Sequence, residues 1–177
     1  MLNYFIYMLP ALILSVVAQL YVNSAYSKWS KVRNYHNLTG TDTAEQLISR
    51  LGMNDIRLTR TRGTLSDHYD PRNHTLALSQ GVADQPSVAA MAIAAHELGH
   101  AQQEHDGYGP LKLRSALVPM VNIGSTLGWF MILLGLILQV SGLAQLGVIL
   151  FSAGAIFSLV TLPVELNASK RAKQMLA

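Results

Sequence analysis

The sequence predicts an α+β membrane protein: a small polar domain, built from a short antiparallel sheet and one long helix, carried on three membrane-spanning helices. Three observations predict it. Half of the 177 residues are hydrophobic and only 13% are charged, against about 25% in a typical soluble domain. The apolar residues gather in three runs, Tyr4 to Val22, Ala116 to Val140 and Leu143 to Val164, each close to the roughly 20 residues that cross a hydrocarbon core. Between the first and second runs the composition turns polar and mixed, and short strand-like segments precede an alanine-rich one. This length accommodates one small domain plus a few spans, not two domains. The absence of cysteine excludes a disulfide framework and a thiolate-ligated metal, so any metal must be held by histidine and carboxylate.

The first apolar run is interrupted only by Pro10, Ser15 and Gln19. A cleaved signal peptide would carry a basic start, and no Lys or Arg occurs before Lys28. Lys28, Lys31 and Arg33 follow the run instead, which predicts an uncleaved anchor over residues 1–27 with the N-terminus outside and its far end in the cytoplasm.

Residues 28–115 form the expected cytoplasmic domain. Asp42 or Thr43, with Glu45-Gln46, opens a short helix that buries Leu47, Ile48 and Leu51 and stops at Gly52. Strand-like runs follow at Ile56–Arg60, Leu65–Tyr69 and Thr75–Ser79, separated by Gly63 and an Asp70-Pro71-Arg72-Asn73 turn. They read as a small antiparallel sheet, whose exposed edge can take an extended peptide by strand addition.

The run Ser87–Ala95 is rich in Ala with no Gly or Pro, a strong helix former, with Asp84 or Ser87 as N-cap and Pro86 tolerated at its start. On this helix stands His96-Glu97-Leu98-Gly99-His100. Histidines four apart share one helix face, so both imidazoles reach the same cation. Glu97, at the edge of that face, is placed to take a proton from a water held there without itself being a ligand. This is the H-E-x-x-H arrangement of zinc metallopeptidases. The bland alternative is two ordinary polar positions at a helix end.

Asp106-Gly107-Tyr108-Gly109-Pro110 breaks the chain, and residues 116–164 form a predicted transmembrane hairpin turning at Ser141-Gly142. Lys112 and Arg114 before it, and Lys170, Arg171 and Lys173 after it, place both ends on the cytoplasmic side. The basic residues therefore track topology, and nucleic-acid binding is not expected. Asn122 and Gln145 are expected to hydrogen-bond between helices, and Gly124 with Gly128 forms a small-xxx-small pair for close packing. Spans without an ionisable residue argue against a channel or transporter.

A catalytic zinc ordinarily takes three protein ligands and keeps a fourth position open. His36, His68, His74 and His105 are available, but Glu165 stands out at the cytoplasmic mouth of the last span. Pro163 allows a new helical segment, residues 165–177, to start there and aim it at the domain. The hairpin returns the chain to the side where His96 and His100 must lie, so a long separation in sequence becomes a short one in space.

Taken together, the blocks His96-Glu97-Leu98-Gly99-His100-Ala101-Gln102, Tyr69-Asp70-Pro71-Arg72-Asn73, Pro110 to Pro119 and Leu162 to Ala172 resemble the bacterial neutral zinc metallopeptidase family labelled YugP-like, over nearly the whole chain. That family is similar in plan to the membrane gluzincins, including the CAAX prenyl proteases, which also set spans between the H-E-x-x-H helix and a later Glu. The resemblance implies a zincin-like domain, one catalytic zinc on His96, His100 and Glu165, and Glu97 as general base. Two departures accompany it. Ser169 stands where gluzincins often carry an Asp that orients a ligand histidine, so the support of the ligands must be softer or come from elsewhere. Family members also continue past this point with another apolar segment, whereas this chain stops at Ala177, which predicts a short or truncated member.

The expected function is a membrane-anchored zinc endopeptidase acting at the cytoplasmic membrane surface, on membrane proteins or on peptides near the bilayer. His105, Tyr108 and Asn167 are the candidates for stabilising the oxyanion. The competing expectation is a non-catalytic membrane scaffold or assembly factor with a structural zinc.

Overall fold

The computed structural model describes residues 2–177, with side chains from residue 9 onward; Met1, the first residue of the expected anchor, and the side chains of its next seven residues lie outside the described part. Its elements in chain order are α1 (Leu2–Trp29), α2 (Gly40–Leu51), β1 (Arg57–Thr61), β2 (His68–Asp70), β3 (Thr75–Ser79), α3 (Gln80–Ala83), α4 (Val88–His105), α5 (Gly109–Ile137) and α6 (Ser141–Leu176). The chain divides into two compact units, residues 1–97 and 98–177, with the boundary inside α4. The predicted α+β class with three apolar helices is what is found: Leu9–Trp29, Gly109–Ile137 and Ser141–Leu176 are each long and apolar enough to cross a membrane.

In the first unit, α2 begins three residues earlier than its acidic residues suggest. Thr39 is the N-cap and Asp42 closes the capping box. The Thr39 hydroxyl oxygen accepts the Asp42 N–H at 3.1 Å, while Asp42 Oδ2 accepts the Thr39 N–H at 2.9 Å. The Thr39 hydroxyl, which also donates to Asp42 Oδ2 at 2.6 Å, and secondly the Thr39 N–H hold the Asp42 carboxyl below its ordinary value of 3.8. A depressed folded pKa stabilises the fold above the unfolded value, and that contribution is lost as pH falls below it. Thr39→Ala is accordingly expected to cost about 1 kcal/mol at neutral pH, with the difference from wild type shrinking on acidification, as read by thermal unfolding at two pH values.

The sheet is mixed rather than antiparallel. Its order is β1-β3-β2, with β1 parallel to β3 and β2 antiparallel to it. The reason lies in burial. Leu76, Ala77 and Leu78 of β3 are 0%, 4% and 2% exposed, so β3 is covered on both faces and must be central. The polar runs Arg57–Thr61 and His68–Asp70 take the edges, where unpaired backbone groups meet solvent at least cost. Leu76 and Leu78 join Ala44, Leu47, Val82, Ala90 and Ala94 in the buried core. Asn34, buried in the linker after α1, donates to Leu38 O at 2.6 Å and to Ser87 O at 3.4 Å, tying that linker to the start of α4. Ser87 is the N-cap of α4: its hydroxyl oxygen accepts the Ala90 N–H at 3.1 Å.

In the second unit, α5 and α6 pack as a hairpin, with Gln139 in the left-handed region (φ 56°) within the turn. The turn thus lies just before Ser141-Gly142, which opens α6 instead. Small residues bring the two helices together, but one step beyond the expected pair. A Cβ on Gly128 would stand 2.7 Å from Gly147 O, and one on Gly135 would stand 2.5 Å from Ala144 N, whereas one on Gly124 would meet Leu150 O at an ordinary 3.7 Å. Asn122 and Gln145 are exposed, not buried between the helices. At 36 residues α6 is about 54 Å long, well beyond a hydrocarbon core of about 30 Å. The break expected at Pro163 is absent: α6 runs through it without interruption, and Glu165 sits on the same helix, about 36 Å from its start.

Candidate metal centre

His96, Gly99, His100 and Gln103 recur at the spacing of one helical face of α4. Within the second unit, that face meets α6 closely at Gly99. A Cβ there would lie 2.6 Å from Ala168 O and 3.2 Å from Ala168 Cα. Only glycine admits this approach, and it brings the α6 segment around Glu165 to His100. His100 Nε2 and Glu165 Oε2 stand 3.4 Å apart. His96 lies one turn earlier on α4.

The protonation of His100 follows from its neighbours. Gln103, completely buried, places Oε1 3.1 Å from His100 Nδ1. Its amide nitrogen donates to Val164 O at 2.8 Å and to Asn167 Oδ1 at 3.0 Å. The carbonyl of Val164 is only an acceptor, so the Gln103 amide cannot be turned the other way round. Asn167 is fixed likewise, because its Oδ1 also accepts Arg171 Nε–H at 2.8 Å. Arg171 is anchored in turn by an ion pair with Asp106 and lies over the Tyr108 ring. Hence Nδ1 of His100 carries a proton donated to Gln103, which leaves Nε2 as the ring nitrogen that faces the carboxylate of Glu165. A ring nitrogen and a carboxylate oxygen at that distance are bridged either by a proton on Nε2 or by a metal ion between them. Two donors bound to one tetrahedral zinc at about 2.0–2.1 Å lie about 3.4 Å apart, so the residues present fit the ion.

Arg114 completes the surroundings. Its Nη2 is 3.9 Å from Glu165 Oε1, while its buried Nε has no hydrogen-bond partner among the described residues. Neither Gln103 nor Arg114 was identifiable from local sequence. The only signal was spacing: Gln103 follows His100 by three, on the ligand face. Gln103 is the residue seen to hold His100 in orientation.

The remaining histidines are placed elsewhere. Exposed His105 lies 3.9 Å from Asp106, His68 Nδ1 is 2.9 Å from Ser66 O, His74 Nδ1 is 3.2 Å from Asp55, and His36 packs edge-on against Tyr35. Among the oxyanion candidates, Asn167 Oδ1 is engaged by Gln103 and Arg171, and the Tyr108 ring carries the Arg171 guanidinium. Glu97, within the first unit, accepts the Tyr69 N–H on Oε2 at 3.1 Å. That carboxylate therefore reaches the outer edge of β2.

A buried histidine, a facing carboxylate and a second histidine one turn away on α4 are side chains of the types that hold zinc in hydrolases. The family model described as "Putative neutral zinc metallopeptidase" matches residues 4–177, and the chain belongs to that family. It is similar to the "Putative membrane protease YugP" of Bacillus subtilis (strain 168), at 44% identity over 168 residues, which are 95% of this chain and 75% of that protein. No solved structure matches the chain. With its three apolar helices, the chain is a membrane protein of a zinc peptidase family.

Proposed function

We propose that the chain is a membrane-anchored zinc endopeptidase, with His96, His100 and Glu165 as ligands and Glu97 as general base. The observation that carries this reading is the approach of His100 Nε2 to Glu165 Oε2 at 3.4 Å, with Nδ1 of His100 turned to Gln103. A zinc ion held there supplies Lewis acidity to the scissile carbonyl and to the attacking water. The protein supplies the rest. Glu97 takes the proton of that water and returns it to the leaving amine. The Tyr69 N–H holds Glu97 in place, and the outer edge of β2 offers an extended peptide a strand to pair with. Arg114 sets its positive charge against Glu165, which favours the ionised, ligating carboxylate.

The basic clusters Lys28–Arg33, Lys112–Arg114 and Lys170–Lys173 support an active site at the cytoplasmic membrane surface, with the N-terminus outside. On this reading residues 1–27 anchor a catalytic domain of residues 28–115, residues 116–164 form the hairpin, and residues 165–177 return the third ligand. Substrates are membrane proteins or peptides close to the bilayer.

The test is Glu97→Gln, assayed for peptide hydrolysis and zinc content in detergent. Loss of a general base costs about 10²–10⁴-fold, so hydrolysis is expected to fall at least a hundredfold with zinc retained. Unchanged hydrolysis would contradict the mechanism, since a structural zinc site needs no base at this position.

A further inference from the structure

An open groove of about 490 Å³ lies within the first unit, between the last turns of α1 and the first turns of α4. This volume falls in the roughly 300–1,000 Å³ range of ligand pockets. Val22, Tyr26 and Trp29 form one wall, Ala92 and Ile93 the other, and Leu65 closes one end. Two features tie the groove to the candidate site. First, Ala92 and Ile93 precede His96 and Glu97 by four residues each on α4, so groove and catalytic side chains follow one another along the same helix surface. Second, Leu65 leads into β2, four residues before the Tyr69 whose N–H holds Glu97. Leu65 adopts a left-handed backbone with φ 55°, a strained conformation for a branched apolar residue. It is exposed in the groove rather than buried in the core.

We propose that this groove is a substrate subsite that takes the consecutive apolar side chains of a peptide segment, next to the bond presented to Glu97. The inference rests on the peptidase reading above and names its substrate class: chain segments that combine an apolar block with an extended stretch able to pair with β2. A lipid acyl chain would fill the same apolar walls, but it gains nothing from a path leading to a carboxylate and a strand edge. The far wall belongs to a helix apolar enough to span a membrane. An apolar segment leaving the bilayer would therefore pass from lipid to groove without exposing its side chains to water.

The experiment uses the full chain carrying Glu97→Gln in nanodiscs, so that bound peptide is not consumed. Two fluorescein-labelled peptides are compared by anisotropy, one carrying a Leu-Leu-Phe block and the other Ser-Ser-Ser in its place. The apolar peptide is expected to bind about tenfold tighter or better, the scale set by burying one large apolar side chain. Ala92→Trp, which fills the groove, and Leu65→Gly, which removes its end wall while relieving the strained backbone, are each expected to abolish that preference with zinc content unchanged. Equal binding of the two peptides, or a preference that survives both substitutions, would overturn the proposal. So would release of a co-purified phospholipid by Ala92→Trp with both peptide affinities unaltered. Failure of the underlying reading is distinguishable: a peptide preference in a chain whose Glu97 form hydrolyses nothing faults the peptidase, not the groove.

Discussion

Glu165→Ala is expected to lower zinc affinity by more than the roughly 10–100-fold that loss of an outer supporting residue costs. In the proposed ligand set the carboxylate would supply the negative charge beside two imidazoles, and it is the one member not on α4. Its removal also leaves the Arg114 guanidinium, 3.9 Å away in the intact protein, as uncompensated positive charge beside the site, which further disfavours a dication. Competition against a chromogenic chelator measures the effect. Glu45→Ala, which removes an exposed carboxylate on α2, is the control and is expected to leave affinity unchanged. Equal zinc affinity in Glu165→Ala and wild type would mean that the third donor is not this carboxylate.

Gln103→Leu is expected to weaken zinc binding by roughly 10–100-fold and to destabilise the fold by about 1–3 kcal/mol. The shape of the side chain is nearly preserved, so the loss is one of hydrogen bonding. His100 Nδ1–H loses its acceptor in a buried setting, the ring is freed to take the other tautomer, and the bridge from α4 to Val164 and Asn167 disappears. Gln103→Glu separates these effects. It keeps an acceptor for His100 but sets a carboxylate oxygen against Val164 O and Asn167 Oδ1, so it is expected to lose stability as well. Calorimetric zinc titration with thermal unfolding reads both quantities. Wild-type zinc affinity in Gln103→Leu would contradict the tautomer argument.

Residues whose role is local were legible in the sequence. Thr75–Ser79 reads as a strand because its apolar run is uniform, and Ser87 reads as a cap because the helix former begins immediately after it. The approach of Glu165 to His100 was legible through topology, since an apolar hairpin must return its second end to the side it left. What failed was non-local or conformational. The parallel pairing of β1 with β3 depends on which strand the core demands be central, and three short strand-like runs in sequence suggest a simple meander instead. Pro163 was expected to break α6, but helices tolerate a proline where other groups satisfy the freed backbone. Gln103 was invisible because its partners Val164 and Asn167 lie 61 and 64 residues away, and a glutamine in a polar helix end carries no sign of being completely buried.

The central claim is that His96, His100 and Glu165 hold one zinc ion, and the most direct measurement is the metal-to-protein ratio of the detergent-purified wild-type chain by inductively coupled plasma mass spectrometry after exhaustive dialysis. The account predicts about one zinc per chain, lost on His96→Ala. Absence of bound metal even after reconstitution with excess zinc, or one zinc retained in His96→Ala, would contradict it.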